Sequence, residues 1–153
     1  MKFLEHKIPP PLVALIIGGL MWTLATLVPR LEVPFVVRVA GALALLVIGL
    51  GIAVSGVVSF RRAKTTVNPI KISTASSLVS SGVFRLTRNP MYLGLLIALA
   101  GWAVYLASWL ALLGLPLFVL YMNRFQIGPE ERAMASLFGA DYAAYKERVR
   151  RWI

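Results

Sequence analysis

Four long apolar runs divide this sequence, and burying four such stretches is far easier inside a bilayer than in the core of a small soluble domain. They extend from Leu12 to Val28, Val36 to Phe60, Met91 to Ala107 and Trp109 to Phe125. Crossing the hydrocarbon takes about 20 apolar residues, within a range of about 17–25. All four runs qualify, the first, third and fourth near the lower limit. Only 14% of the 153 residues are charged and 59% are hydrophobic, whereas soluble domains carry about 25% charged residues. The expected fold is all-α: an integral membrane bundle of four transmembrane helices in a single domain over residues 1–153. A signal peptide is the rival reading of the first run, because Lys2 and Lys7 precede it. Pro9-Pro10-Pro11, and the lack of a small-x-small site before Pro29, fit an anchored span better.

The formal charge of +10 raises nucleic acid as a partner, but the placement of the charges points to lipid. Basic residues cluster between the apolar runs, where they meet anionic head groups and set topology. No basic motif interleaved with exposed aromatics is present, so no nucleic-acid partner is expected. Arg61, Arg62, Lys64, Lys71, Arg85 and Arg88 crowd the 61–90 loop without an acid, and Arg132, Lys146, Arg148, Arg150 and Arg151 fill the 126–153 tail. The hinge at Ser108 has no charge, and Arg30 and Arg38 in the first connection are offset by Glu32. The protein is therefore expected in the inner (cytoplasmic) membrane with both termini cytoplasmic. Arg38 stands near the outer end of the second run, where its head can snorkel to water. There is no cysteine, and the single His6 cannot build a metal site, so none is expected.

The 61–90 loop is long for a compact membrane domain, and its Thr65 to Pro69 and Ser73 to Ser81 stretches have turn chemistry. In the tail, Phe138, Tyr142, Tyr145, Val149 and Trp152 recur at spacings of four and three. This pattern predicts one apolar helical face, with basic residues opposite. Two placements answer to it: a C-terminal amphipathic helix at the membrane interface, or a helix packed on the bundle.

The residues able to carry chemistry gather at one membrane face. Asn89-Pro90 begins the third run, and on structural grounds alone it is a helix start with asparagine as cap. Tyr92 then reads as an interfacial aromatic and Gly94 as a packing glycine. Glu130 and Glu131 follow the fourth run, where acids complement a helix N-terminus. Together, however, Arg88, Asn89, Pro90, Tyr92 and Gly94 meet Glu130 and Glu131 across an antiparallel hairpin. Carboxylates there suit an ammonium, and a guanidinium or helix start suits a carboxylate.

Several ordered motifs carry a resemblance. Thr65-Thr66-Val67-Asn68-Pro69, Ser81-Gly82-Val83-Phe84-Arg85 and the Arg88 to Gly94 motif are followed by Glu130-Glu131, Phe138 to Tyr145 and Val149-Arg150-Arg151-Trp152. Over about its last ninety residues the chain resembles the isoprenylcysteine carboxyl methyltransferase and phospholipid N-methyltransferase superfamily. The resemblance implies S-adenosylmethionine as cofactor and a lipid or other amphiphilic acceptor taking the methyl on an amine, carboxylate or thiol. It implies cofactor-binding roles for Arg88, Asn89, Pro90, Tyr92, Gly94, Glu130 and Glu131, and catalytic roles for Glu130, Glu131 and Asn89. Gly49 and Gly51 stand where phospholipid methyltransferases have a cofactor-binding Gly-x-Gly, although close helix packing explains them equally. Asn89 replaces the histidine of the prenylcysteine enzymes. Two rivals come from other classes: an NADPH-dependent membrane reductase of the related sterol reductase group, and a non-catalytic membrane partner with the same fold. An apolar acceptor tail is expected beside the small residues Gly94, Ala98 and Gly101. The sequence leaves the oligomeric state open.

Overall fold

The computed structural model describes residues 7–63 and 78–153; the Thr65 to Pro69 and Ser73 to Ser77 turn motifs lie outside them. Among the described residues the chain is helical, without strands. Helix α1 spans Pro10–Ala25, α2 Phe35–Arg62, α3 Pro90–Leu106, α4 Gly114–Met122 and α5 Gly128–Arg148. A π-helical turn, Asn123–Ile127, joins α4 to α5, and 3-10 turns at Gly82–Arg85 and Leu110–Leu113 precede α3 and α4. Leu110 to Arg148 is therefore one helical path of 39 residues, kinked at Gly139. It and α2 are the two described helices long and apolar enough to cross a membrane; α1 and α3 are apolar but have 16 and 17 residues. At 1.5 Å per residue those two reach about 24–26 Å, against a hydrocarbon core of about 30 Å.

Proline sets the starts of the helices. Pro10 and Pro90 occupy first-turn positions of α1 and α3, where the missing N–H costs nothing. Helix α1 buries Val13, Ile17, Met21 and Ala25, one residue per turn, against α3 and α4. Gly114 makes room for this contact, since a Cβ there would lie 2.6 Å from the Met21 sulfur.

The α2–α3 contact is a seam of small residues. A Cβ on Gly49 would lie 2.5 Å from the Gly94 carbonyl oxygen, one on Gly101 2.9 Å from the Ala42 carbonyl, and one on Gly56 3.0 Å from Pro90. Backbone thus meets backbone, which is how membrane helices gain contact without a hydrophobic drive between them. The wall expected to take an acceptor tail, Gly94 with Ala98 and Gly101, is closed by α2 instead, because glycine on both helices lets them approach too closely for a third group. The rest of α2 faces outward, with Val36, Leu43, Val47, Leu50 and Val54 exposed. So much uncovered aliphatic surface is the mark of a helix facing lipid.

At the far end Arg38 does not snorkel. Its Nε donates to the Tyr105 carbonyl at 2.8 Å, Nη2 bonds the same oxygen, and the guanidinium lies over the Tyr105 ring. It satisfies the last turn of α3, whose carbonyls carry the negative end of the helix dipole. Ala107, at φ 48°, closes α3, and its carbonyl accepts from Leu31 N at 2.8 Å.

The tail differs from a flat interfacial helix. At Gly139 (φ 47°, ψ −118°) α5 breaks direction, a conformation only glycine adopts cheaply. Tyr142, Tyr145 and Val149 turn inward onto Leu78, Met134 and Phe138. The Tyr145 hydroxyl donates to the Phe84 carbonyl at 2.7 Å, and Phe84 stands edge-on to Phe60 of α2. The helix stops at Arg148, so Val149 and Trp152 leave the predicted face and run in an extended segment.

Candidate functional site

Three pieces of chain meet where α3 begins: the turn Thr87–Asn89, the first turn of α5, and the segment Val149–Trp152. The Arg88 backbone N–H donates to the Arg150 carbonyl at 3.0 Å, and the Asn89 side-chain amide donates to the Arg151 carbonyl at 2.9 Å. Asn89 therefore does not cap α3 with its side chain; its own N–H is taken by the Thr87 hydroxyl at 3.1 Å.

Glu130 and Glu131 share the first turn of α5 but face different partners. The Tyr92 hydroxyl donates to Glu130 Oε1 at 2.5 Å. Burial pushes the Glu130 carboxyl up to about 7; the Tyr92 bond pulls it down, and the Glu131 charge adds to the rise. Glu131 sits between two guanidiniums. Arg88 Nη2 donates to Oε1 at 2.7 Å, while Arg151 forks onto both oxygens, Nε to Oε1 at 3.0 Å and Nη2 to Oε2 at 2.6 Å. Burial acts to raise the Glu131 carboxyl too, but the Arg151 and Arg88 bonds outweigh it and hold it below its ordinary value. Because α5 continues from α4 through the π-helical turn, its first N–H groups are not a free helix end. The two acids thus act through side-chain partners rather than as a complement to the dipole.

Arg88 is nearly spent in holding this structure. Its Nη1 donates to the Val149 carbonyl at 2.7 Å and to the Lys146 carbonyl at 3.2 Å. Its buried Nε has no partner among the described residues. The π-helical turn contributes Asn123, whose Oδ1 accepts from Trp152 Nε1 at 3.1 Å and Arg151 Nη1 at 3.4 Å. One turn onward Gln126, 1% exposed, donates to the Ile8 carbonyl at 2.7 Å.

The structure thus brings together Arg88, Asn89, Pro90, Tyr92, Glu130 and Glu131 at one end of the bundle. Gly94 and Gly49 lie one turn and more away, consumed in the α2–α3 seam. Gly51 faces outward with nothing within 4 Å of a Cβ placed there, and so stands apart from the group. Thr87, Asn123 and Arg151 belong to the cluster although sequence reasoning assigned them no role in it, Arg151 having entered only within the Val149-Arg150-Arg151-Trp152 motif. Asn123, a polar residue closing an apolar run, is the one signal that points toward it.

The phospholipid methyltransferase family model matches residues 37–141, more than half of the chain and most of the α2 to α5 scaffold that positions this cluster. The chain belongs to that family. Among curated relatives of this phospholipid methyltransferase family member, an uncharacterized protein of Haemophilus influenzae is 48% identical over 63 residues, 41% of this chain and 100% of its own length. Proteins of Oryza sativa subsp. indica and japonica, named probable protein-S-isoprenylcysteine O-methyltransferase, are each 34% identical over 130 residues, 83% of this chain. The match spans 66% of the rice proteins' length. No solved structure matches.

Proposed function

We propose that this family member is an integral-membrane enzyme that moves a methyl group from S-adenosylmethionine to a lipid or other amphiphilic acceptor at the cytoplasmic face of the inner membrane. The observation that carries the reading is the Tyr92–Glu130 pair, a half-buried carboxylate held at the end of the bundle in a chain of this family. The residues present suit the cofactor's zwitterionic end. Glu130 offers a carboxylate for an ammonium, and the unpartnered Arg88 Nε–H offers a donor for a carboxylate. Glu130, Glu131, Arg88, Asn89, Pro90 and Tyr92 are the proposed site residues.

When bound, S-adenosylmethionine supplies a methyl already activated on a sulfonium, so the protein is left with alignment and protection from water. Alignment of two reactants can supply up to about 7–11 kcal/mol. Tyr92 orients Glu130, the Arg88–Glu131–Arg151 network fixes the surrounding backbone, and the apolar helices exclude water. Glu130, pushed up to about 7, can accept a proton near neutral pH, which an amine or thiol acceptor requires and a carboxylate does not. The four apolar helical paths form the membrane bundle, with the acceptor arriving sideways from the bilayer.

The test is transfer of labelled methyl from S-adenosylmethionine into extracted membrane lipids, beside a panel of water-soluble amines, thiols and carboxylates. Lipid-soluble product from wild type, lost in Glu130→Gln, is the expected result. Label confined to soluble acceptors sinks the amphiphile reading. Binding of NADPH in place of S-adenosylmethionine sinks the methyl-transfer reading.

A further inference from the structure

Taking the methyl-transfer reading as its basis, we propose that Arg151 is a positioning residue of the site: its fork on Glu131 fixes the carboxylate that holds Arg88, and leaves Glu130 to meet the ligand. Arg151 lies 20 residues beyond Glu131 in sequence. Had α5 continued straight, those residues would have carried it about 30 Å away. The break at Gly139 and the extended backbone at Val149 (φ −126°, ψ 129°) bring it back.

The returning segment then bonds the 87–89 turn, Glu131 and Asn123. Its Val149, Arg150 and Arg151 carbonyls accept from Arg88 Nη1, Arg88 N and the Asn89 amide, and the Thr87 hydroxyl shares the Arg151 carbonyl at 3.3 Å. Both oxygens of Glu131 are occupied by guanidinium groups, and its side chain is 12% exposed. A carboxylate so engaged cannot also receive a ligand ammonium without giving up one of its partners. Glu130 has only Tyr92 on Oε1 and keeps its second oxygen without a hydrogen bond among the described residues. The two adjacent acids therefore divide the work, and Arg151 enforces the division.

The charged and titratable groups facing Glu131 are Arg88 from the start of α3, Arg151 from the C-terminal segment, and Glu130 and Tyr142 from α5. The two arginines together hold the Glu131 carboxyl low, so its pairing is present above the ordinary carboxylate value and is lost as pH falls through the depressed one. Removing Arg151 lifts that value, so the order that the Glu131–Arg88 pairing gives the 87–92 turn is lost at higher pH than in wild type. The pH dependence of ammonium binding itself belongs to Glu130.

The experiment compares wild type, Arg151→Gln, Arg151→Lys and a control, Arg148→Gln, which removes an exposed charge of the same sign. Two quantities are read on purified full-length protein: labelled S-adenosylmethionine binding above neutral pH, where Glu130 is ionised, and protection from hydrogen exchange at residues 87–92 across the acid range. Arg151→Gln is expected to weaken binding by at least about ten-fold, to speed exchange of the Arg88 amide and to raise the pH at which protection of that amide is lost. Arg151→Lys should restore part of each, and Arg148→Gln should match wild type. Wild-type protection of the Arg88 amide at every pH in Arg151→Gln overturns the proposal. So does a variant that only melts earlier while its folded fraction keeps wild-type binding and the wild-type pH profile of protection. Absence of cofactor binding in wild type overturns the functional reading on which the role rests; the exchange data then report separately whether Arg151 orders the 87–92 turn.

Discussion

Glu130 and Glu131 are covalent neighbours whose environments push them in opposite directions, and each gives a separate test. Glu130 is raised from 4.5 to about 7, so the unfolded chain releases this proton first. Its contribution to stability consequently declines as pH rises between those values and levels off above them. Binding of an ammonium runs the other way, strengthening as pH climbs through about 7 and the carboxylate forms. Glu130→Gln should flatten that pH dependence and cost about 1.5–3 kcal/mol of binding, or roughly ten- to a hundred-fold. Isothermal titration of S-adenosylmethionine across neutral pH checks both. Glu131→Gln has a different expected outcome: it leaves Arg88 and Arg151 without their shared carboxylate. Stripping one partner from a buried ion pair costs about 3–5 kcal/mol, and the partial exposure of Arg151 places this case at the lower end. Thermal unfolding in detergent should therefore separate the two substitutions, Glu131→Gln melting earlier and Glu130→Gln close to wild type.

Among the helices, the glycines fall into three kinds. Gly49 and Gly94 hold α2 against α3, so Gly94→Leu should force the pair apart at a cost of at least about 1–3 kcal/mol. Gly51→Leu, facing outward, should stay within about 0.5 kcal/mol of wild type. Equal melting of the two variants would refute the seam. Gly139 has open space around it but a backbone forbidden to other residues, so Gly139→Ala tests conformation and not volume. It should cost about 1–3 kcal/mol and loosen the Arg151–Glu131 fork, seen as faster exchange at Arg88. The helices themselves were legible in the sequence because long apolar runs are written in composition: each of the four runs is helical, and two described helices are long and apolar enough to cross a membrane. Their partners were less so. Gly49-Leu50-Gly51 looks like one motif, yet its two glycines face opposite ways on a helix. The Phe138 to Trp152 periodicity was real as far as Tyr145, then misled. A spacing rule cannot see that Gly139 breaks the helix, and Arg151 was unreadable for the same reason.

For the whole molecule, the charge asymmetry sets the test of topology. Reporter fusions after Lys71 and at Ile153 should report the cytoplasm, and one at Ser108 the opposite side. A cytoplasmic Ser108 would remove the four-crossing arrangement. The candidate site itself was half legible. The sequence named Arg88, Asn89, Tyr92, Glu130 and Glu131, all of which converge, because a short hairpin forces the start of α3 and the end of the fourth run together. What it lacked was the third piece, Val149–Trp152, whose place depends on the chain folding back on itself. That return fixes when the site can exist. Asn89 bonds a residue 62 positions later, and Thr87 one 64 positions later. Contacts of such long separation must wait for the loops between them to close. The helices can pair before residues 149–152 are made, but the cluster at the start of α3 closes only once that segment has emerged. The 87–92 turn is therefore ordered later than the helical scaffold that carries it, and a growing chain whose helices have already paired still lacks the contacts that fix Arg88 and Asn89.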